Sequence, residues 1–315
     1  MEQVHESVLL NECLESLAIK PGDTVVDATI GGAGHFRAML ERLGEEGTLV
    51  GIDADEDAIE RAAAVVRPVN GPKVHLAHDN FRNLDAILEH EDIESIDKAL
   101  FDLGWSSFHL SAGRGFSFRA DEPLYMTYGS PEEGNTAADL VNSASEEELA
   151  DIIFNYGEER FSRGIARAIV AARRIAPILT TTQLAEAVEN GVPGWYQHRR
   201  LHPATKTFQA LRIAVNDELG ALRAGLSSAL ARLTPGGRIA VITFHSIEDR
   251  IVKGMFRDEA YQGTGKLVNK KPIAPSDDET ARNPRSRSAK LRVFERCTGA
   301  GTCPAAYNHS ALSLA

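Results

Sequence analysis

The sequence predicts an open α/β fold with a mostly parallel sheet, interrupted after its fourth strand by a mostly helical insertion. Three observations predict it. Short β-branched runs alternate with helix-length amphipathic stretches over the first hundred residues, the alternation stops after Asp102, and it resumes near Lys206. Residues 1–104 and 204–315 are therefore read as the α/β core and 105–203 as the inserted unit. The chain of 315 residues is 43% hydrophobic and 25% charged, the balance of a globular protein with a substantial core.

Residues 24–30 form the first buried run, followed by a glycine cluster and a helix that ends near Leu43. Residues 47–53 make the second strand, and the helix after it reaches about Val66. Residues 73–79 and 96–102 are the third and fourth strands. Residues 104–135, rich in Gly, Ser, Phe and Pro, read as an irregular functional loop. Ser145 and Glu148 form a capping box, and Leu149, Ile152, Ile153 and Tyr156 then fall at helical spacing. A helix over 158–176 puts Phe161, Ile165, Ile169 and Ala172 on one side and Arg160, Arg163, Arg167 and Arg174 on another. A shorter helix over 182–190 stops at Gly191. From Phe208 to Leu233 apolar residues step by three or four, which predicts one long helix ended by Thr234-Pro-Gly-Gly237. Residues 238–244 are the fifth strand, 246–257 a helix, and segments near 267–273 and 289–297 complete the sheet.

No apolar run approaches the roughly 20 residues that span a bilayer. The first 22 residues are acidic and amphipathic, without the basic start and apolar core of a signal peptide, so a cytoplasmic location without membrane association is expected. Cys13, Cys297 and Cys303 make neither an even set nor a CxxC pair, which suits a reducing compartment. The two tail cysteines and His309 are too loosely spaced for zinc, and no metal site is expected. The net charge of −11 is uneven: residues 1–100 carry 8 basic and 21 acidic groups, residues 101–200 carry 9 and 14, and residues 201–315 carry 17 and 10. A basic last third points to a polyanion-facing surface despite the overall sign.

The strongest local signal is Asp27-Ala-Thr-Ile-Gly31-Gly32-Ala33-Gly34-His35, between a strand and a helix. Glycines let a ligand approach the backbone, and the helix start offers unpaired N–H groups. Asp53 ends the second strand 19 residues after Gly34, where a carboxylate can bind a ribose diol. The GxGxxG dinucleotide pattern fails here. An acidic residue just before the glycines instead suits S-adenosylmethionine, whose amino-acid end replaces a pyrophosphate. The alternative is a plain tight turn with a solvated Asp53. Phe81, after the third strand, either stacks on an adenine or fills the core. Asp102 closes the fourth strand at the rim where such sheets bind ligands, and Leu103-Gly-Trp-Ser-Ser107 stands where many amino-methyltransferases carry (D/N)PP(Y/F). That places Trp105 and Ser106 beside the expected methyl donor, or else marks a turn with a buried Trp105.

With these residues in view the chain resembles the bacterial 16S rRNA cytosine-N4 methyltransferases of the MraW/RsmH type, nearly end to end. The resemblance is carried by His5-Glu-Ser-Val-Leu-Leu10, the glycine segment 27–35, Gly51-Ile-Asp53 and Asp102-Leu-Gly-Trp-Ser-Ser107. Arg114-Gly-Phe-Ser-Phe118, Tyr156-Gly-Glu-Glu-Arg-Phe161 and the run from His202 to Glu218 extend it. So do Phe244-His-Ser-Ile-Glu-Asp-Arg-Ile-Val-Lys253 and Asn283-Pro-Arg-Ser-Arg-Ser-Ala-Lys-Leu-Arg292. It implies a class I S-adenosylmethionine-dependent methyltransferase fold with a seven-stranded sheet. It also implies S-adenosylmethionine as cofactor, and methylation of a cytosine N4 in the decoding (P-site) region of small-subunit rRNA. The implied cofactor contacts are Ala33, Gly34, His35, Asp53, Phe81, Asp102 and His109. Family members usually carry Gly in place of Ala33 and Gln in place of His109. A methyl at Ala33 is tolerable if its φ is negative. Where the family commonly reads PLDMRM, this chain has Pro123-Leu-Tyr-Met-Thr-Tyr128, which leaves Tyr125 and Tyr128 suited to stacking on a base.

Cytosine N4 is a poor nucleophile because its lone pair is delocalised, so hydrogen-bond acceptors and in-line alignment must supply the help. Asp102 and the carbonyls of Leu103 and Gly104 are the expected acceptors. His245 is the candidate proton acceptor, or equally a structural histidine bonded to Glu248 or Asp249. The target base is expected to be extruded toward Trp105, Tyr125 or Tyr128. RNA affinity is expected from Arg199 and Arg200, from the arginine face of 160–174, and from a basic run over 282–296 that includes Arg285 and Arg287. A monomer or homodimer acting on 16S rRNA or the small subunit fits all of this.

Overall fold

The computed structural model describes residues 6–67, 71–104, 113–129 and 136–299, over which strands and helices are numbered. The chain divides into two compact units, Met1–Gly104 with Ala221–Ala315, and Trp105–Gly220.

In the first unit seven strands form one sheet: β1 (Thr24–Asp27), β2 (Thr48–Asp53), β3 (Lys73–His78), β4 (Ile96–Asp102), β5 (Leu233–Thr243), β6 (Gly265–Leu267) and β7 (Lys290–Arg296). Their order is β3-β2-β1-β4-β5-β7-β6. The first five are parallel, whereas β7 runs antiparallel to β5 and β6. Around them lie α1 (Leu10–Leu17), α2 (Gly34–Leu43), α3 (Glu56–Val66) and α4 (Leu84–His90). With the central strands sandwiched between helices, β1, β2 and β4 are apolar on both faces, which is why they read as continuous runs rather than alternating ones. Glycine is required inside β2. A Cβ on Gly51 would lie 2.6 Å from Phe36 Cε2 and 2.9 Å from Ile30 Cδ1, so its absence lets α2 settle on the sheet. Because β1 is flanked by β2 on one side and β4 on the other, the winding reverses there. A crevice opens at the carboxyl ends of those strands.

The second unit is helical: α5 (Ala137–Ser143), α6 (Glu146–Gly157), α7 (Ser162–Arg173), α8 (Thr181–Asn190), α9 (Gly194–Gln197) and α10 (Ala204–Asn216). Thr136, Ser145 and Thr180 close capping boxes at the starts of α5, α6 and α8. Leu149, Ile153, Ile165, Ile169, Leu184 and Leu211 form its buried centre.

Several sequence expectations change. The single long helix becomes α10 and α11 (Glu218–Arg232), broken at Asp217 with φ 44°. The cause is tertiary: Asn216 donates to Met126 O at 2.7 Å and accepts the Tyr128 N–H at 3.0 Å, tying the helix end to the 123–128 segment. With α10 packed on α6, the second unit closes at Gly220 rather than at residue 203. The helix expected from 158 starts at Ser162, because Glu158, at φ 50°, ends α6 in a left-handed turn. Sheet completion falls to a three-residue β6 and to β7, and α12 (Ser246–Gln262) runs five residues further than its apolar pattern suggested. Cys297 is disulfide-bonded, against the expectation of free thiols, while Cys13 is free and buried. Cys303 and His309 lie outside the described residues. Among the described residues no helix is long and apolar enough to cross a membrane.

Gly51→Ala should cost about 1–3 kcal/mol of stability through overpacking against Phe36 and Ile30. Chemical denaturation measures this directly; an unchanged midpoint would mean that α2 can shift freely.

Candidate active site

Three aspartates close neighbouring strands at the crevice: Asp27 on β1, Asp53 on β2 and Asp102 on β4. Each has a different set of partners. Asp53 Oδ2 accepts the Gly31 N–H at 2.8 Å and its Oδ1 accepts the Asp55 N–H at 2.9 Å. The residue expected to hold a ribose thus also pins the glycine loop, and the Arg61 guanidinium secures the loop further by donating to Gly31 O at 3.0 Å. Burial raises the Asp53 carboxyl above its usual range, and the two backbone donors pull it partly back.

Ala33 has φ 60°, in the left-handed region, as the residue that precedes α2. The sequence reading allowed a methyl there on condition of a negative φ, and that condition is not met. A non-glycine residue at this φ costs about 1–2 kcal/mol. Here the methyl is buried in the same apolar cluster as Phe36, Met39 and Leu9, which offsets part of the strain. The next residue has no such latitude, since a Cβ on Gly34 would overlap Ser7 Oγ. The amino-terminal segment is therefore part of the site. Val8 O lies 3.1 Å from His35 Nε2, and His35 Nδ1 faces Asp102 Oδ2 at 3.6 Å.

Asp27 and Asp102 are the unusual pair. Asp27 is fully buried, with Oδ1 accepting the Thr29 N–H at 3.2 Å and Oδ2 without a hydrogen-bond partner among the described residues. Asp102 Oδ1 is likewise buried without a partner, while its backbone N–H donates to Thr29 Oγ1 at 2.8 Å. Burial raises the Asp27 carboxyl well above the ordinary range and pushes Asp102 to about 7, Glu248 adding to the latter. Buried carboxylate oxygens without donors are costly. Both stand at the carboxyl ends of adjacent strands where the winding of the sheet reverses.

A profile of the MraW methylase family matches residues 2–297. The chain is 50% identical over 295 residues to the ribosomal RNA small subunit methyltransferase H of Deinococcus deserti, covering 93% of each chain. It is 48% identical over 309 residues to the protein of the same name from Syntrophotalea carbinolica, covering 93% of this chain and 98% of that one. The chain belongs to the MraW methylase family. The seven-stranded α/β fold with its helical insertion is that of a class I methyltransferase, as expected, and the protein is an enzyme.

The remaining site residues of this methylase divide clearly. Phe81 meets Phe101 edge-on with ring centroids 5.6 Å apart, and a Cβ on Gly225 would lie 2.7 Å from its ring, so one face is committed to packing and the residue is half-buried. Asp79 accepts the Asn80 N–H at 2.6 Å and the Asn83 side chain at 2.9 Å, which holds that turn. His245 is found beside Glu248, one of the two partners expected for it. It caps α12, its ring accepting the Glu248 N–H at 3.4 Å, while Glu248 Oε2 accepts the Phe244 N–H at 2.8 Å. Its other ring nitrogen lies 3.1 Å from Glu248 Oε1. Asp249 is engaged elsewhere, by the Arg292 guanidinium at 2.6 Å and Lys290 at 3.4 Å. Trp105, Ser106 and His109 lie outside the described residues.

Tyr128 is committed within the helical unit: its ring stacks on Phe116 at 5.5 Å and its hydroxyl donates to Glu218 Oε1 at 3.0 Å. Glu218 is also gripped by the Arg212 fork at 2.7 and 2.9 Å. One ring face and the hydroxyl of Tyr128 are thus engaged in packing, and Tyr125 is partly exposed. The 282–296 run is mostly engaged too. Arg292 is buried against Asp249, Arg296 donates to Leu230 O at 2.6 Å and Arg282 meets Glu6 at 3.4 Å. Arg285, Arg287, Arg199 and Arg200 are exposed. Thr29, Ser7 and Val8 had no expected role in the site. Only the small size of Gly34 hinted that something must lie close to it.

Three variants probe the backbone and the buried acid. Ala33→Gly should leave stability within about 1 kcal/mol, since relief of the left-handed strain is offset by a lost methyl contact and a floppier unfolded chain. Ala33→Val should lose more than about 2 kcal/mol in thermal melting, as a β-branched residue resists that φ. For Asp102, a folded carboxyl that titrates near 7 keeps a proton that the unfolded chain loses near 4. Stability contributed by the protonated form is therefore lost as pH rises from about 4 to 7. Asp102→Asn should remove up to about 1.4 kcal/mol per pH unit of that slope. Parallel stability–pH curves for the two proteins would refute the shifted acid.

Proposed function

We propose that the enzyme transfers the methyl group of S-adenosylmethionine to the exocyclic N4 amine of a cytosine in the decoding (P-site) region of 16S rRNA, acting in the cytoplasm on the small ribosomal subunit. The observation that carries this is the pair of unpartnered buried oxygens, Asp27 Oδ2 and Asp102 Oδ1, in a chain of the MraW methylase family. The fit to the cofactor rests on charge. S-adenosylmethionine carries an ammonium and a sulfonium, and the wall of the crevice offers acceptors that lack donors. Asp27 is suited to the ammonium, Asp53 retains lone pairs for the ribose diol, and the free face of Phe81 is available to the adenine. The N–H groups at the start of α2, from Gly34 and His35, add donors for the carboxylate end. When bound, the cofactor supplies an electrophilic methyl group on a good leaving group.

The chain's own part is to align and deprotonate. Asp102 Oδ1 accepts a hydrogen from the N4 amine, which loosens its conjugation with the ring, and then holds the proton that leaves as the C–N bond forms. Its raised affinity for protons makes it a better acceptor than an ordinary aspartate. His35, held by Val8 O, keeps Oδ2 oriented so that Oδ1 faces the crevice. His245, engaged with Glu248, is left to its capping role.

The decisive test incubates radiolabelled S-adenosylmethionine with small subunits from a strain that lacks the enzyme, followed by digestion of the RNA. N4-methylcytosine is the expected product; label only in protein or small molecules would overturn the proposal. Asp53→Ala should weaken cofactor binding at least about tenfold by calorimetry, given a lost charge-assisted contact. The ratio kcat/KM should rise about tenfold per pH unit up to roughly 7 and then level off, because ionised Asp102 is the active form. A flat profile in Asp102→Asn, with much reduced turnover, completes the expectation.

A further inference from the structure

The helical unit carries a second arrangement that the reaction chemistry does not use. Trp195, on α9, is 58% exposed. It stands edge-on to Phe161 and Tyr196, with centroid separations of 6.0 and 5.7 Å. Beneath it lies a lock: Glu159, fully buried, accepts the Tyr196 hydroxyl at 2.6 Å through Oε2 and the Phe161 N–H at 2.9 Å through Oε1. Burial and that carboxylate raise the Tyr196 hydroxyl, so it stays protonated and donating. The Arg160 guanidinium lies 4.6 Å from the Phe161 ring, 4.9 Å from Trp195 and 5.6 Å from Tyr196, and Arg199 lies 5.3 Å from Tyr196. Both arginines are exposed, and among the described residues neither is ion-paired with a carboxylate. Residues 191–203 contain no acidic residue, whereas His198 and Arg200 are exposed beside them.

An exposed indole held by a buried hydrogen-bonded anchor has little rotamer freedom left to lose on binding. The cations around the rings disfavour a cationic guest, since the ring faces already serve Arg160 and Arg199. What fits is a flat aromatic surface that carries negative charge alongside it. A base stacking on Trp195, with its phosphates at Arg160 and Arg199, satisfies both requirements. We infer that Trp195, Arg160 and Arg199 form a docking platform for a single-stranded RNA segment, with one base stacked on the indole and its backbone held by the guanidinium groups. The identity of that RNA as part of the small-subunit substrate rests on the function proposed above; the affinity for single-stranded RNA does not.

The test uses the full chain and a fluorescently labelled single-stranded oligoribonucleotide, read by anisotropy, alongside methyl transfer to small subunits. Trp195→Ala should weaken oligonucleotide binding by at least about fivefold, the loss of one stacked base, and Trp195→Phe should retain most of the affinity. Arg160→Ala and Arg199→Ala should each flatten the dependence of log affinity on log salt by about 0.7. In the transfer assay Trp195→Ala should raise KM for the subunit while kcat at saturation stays within twofold. Oligonucleotide affinity and KM both unchanged in Trp195→Ala would overturn the platform, whatever the enzyme methylates. Weaker affinity in the arginine variants alone would reduce it to a phosphate patch and overturn the stacking. Reduced RNA affinity in Trp195→Ala, in an enzyme that transfers no methyl to RNA, would uphold the platform and sink the proposed reaction instead.

Discussion

The buried carboxylates at the reversal of the sheet set the terms for the rest of the first unit. Asp27 and Asp102 end strands on either side of the β1/β4 boundary, and each leaves an oxygen without a donor among the described residues. A folded chain normally supplies donors for such atoms or removes the charge. Here it does the second, holding both groups nearer to protonation than an ordinary aspartate. The surrounding structure meets only part of their demand. Thr29 spends its backbone N–H on Asp27 and its hydroxyl on the Asp102 backbone, His35 is aimed at the other Asp102 oxygen, and Cys13 is buried nearby with its thiol pushed up by burial and by Asp102. On the proposed function, carboxyl groups held nearer to protonation become anionic as a cationic cofactor arrives.

Much of this arrangement is legible in the sequence because β1 and β2 are apolar on both faces and, like β4, end in acidic residues. The strand ends at Asp53 and Asp102 were placed correctly, and so were the capping box at Ser145 and the stop at Gly191. Other features depend on contacts distant in sequence. Periodicity runs unbroken through Asp217, so nothing local announces the turn that Asn216 makes by reaching Met126 and Tyr128. The positive φ of Ala33 is set by the loop that Asp53 and Arg61 hold, not by alanine's own preference. His245 could be read two ways until its partner was seen, since a histidine before a helix with Glu three residues on suits both capping and proton transfer.

Charge counted along the chain points to a real asymmetry, but many cations of the basic last third are engaged within their own unit. The basic last third supplies much of the mortar of its own sheet. Arg238 and Lys266 both meet Glu295 at 2.7 Å, Arg292 forks onto Asp249, and Arg232 reaches Asp85 and Glu89 at 2.7 and 3.1 Å. Those last two acids come from the acidic first third, so part of the regional imbalance is the record of pairs closed by folding. Exposed cations beside aromatic surface are found on the helical unit, where Arg160 and Arg199 of the expected basic segments lie around Trp195.

Both units therefore turn on buried carboxylates, used in opposite ways. Glu159 has its demands met by a phenol and a backbone N–H. A satisfied buried acceptor of this kind fixes geometry, and what it fixes is the stance of Tyr196 and Phe161 beneath an exposed indole. Asp27 and Asp102 have the same chemistry with part of the demand unmet, and an unsatisfied acceptor is a source of affinity for whatever cation can enter. The difference lies in the neighbours: a tyrosine 37 residues on and a backbone N–H meet both oxygens of Glu159, while at Asp27 the Thr29 N–H fills only Oδ1 and leaves Oδ2 without a partner among the described residues. Residue type alone does not separate a structural carboxylate from a functional one; counting which of its lone pairs the fold has filled does.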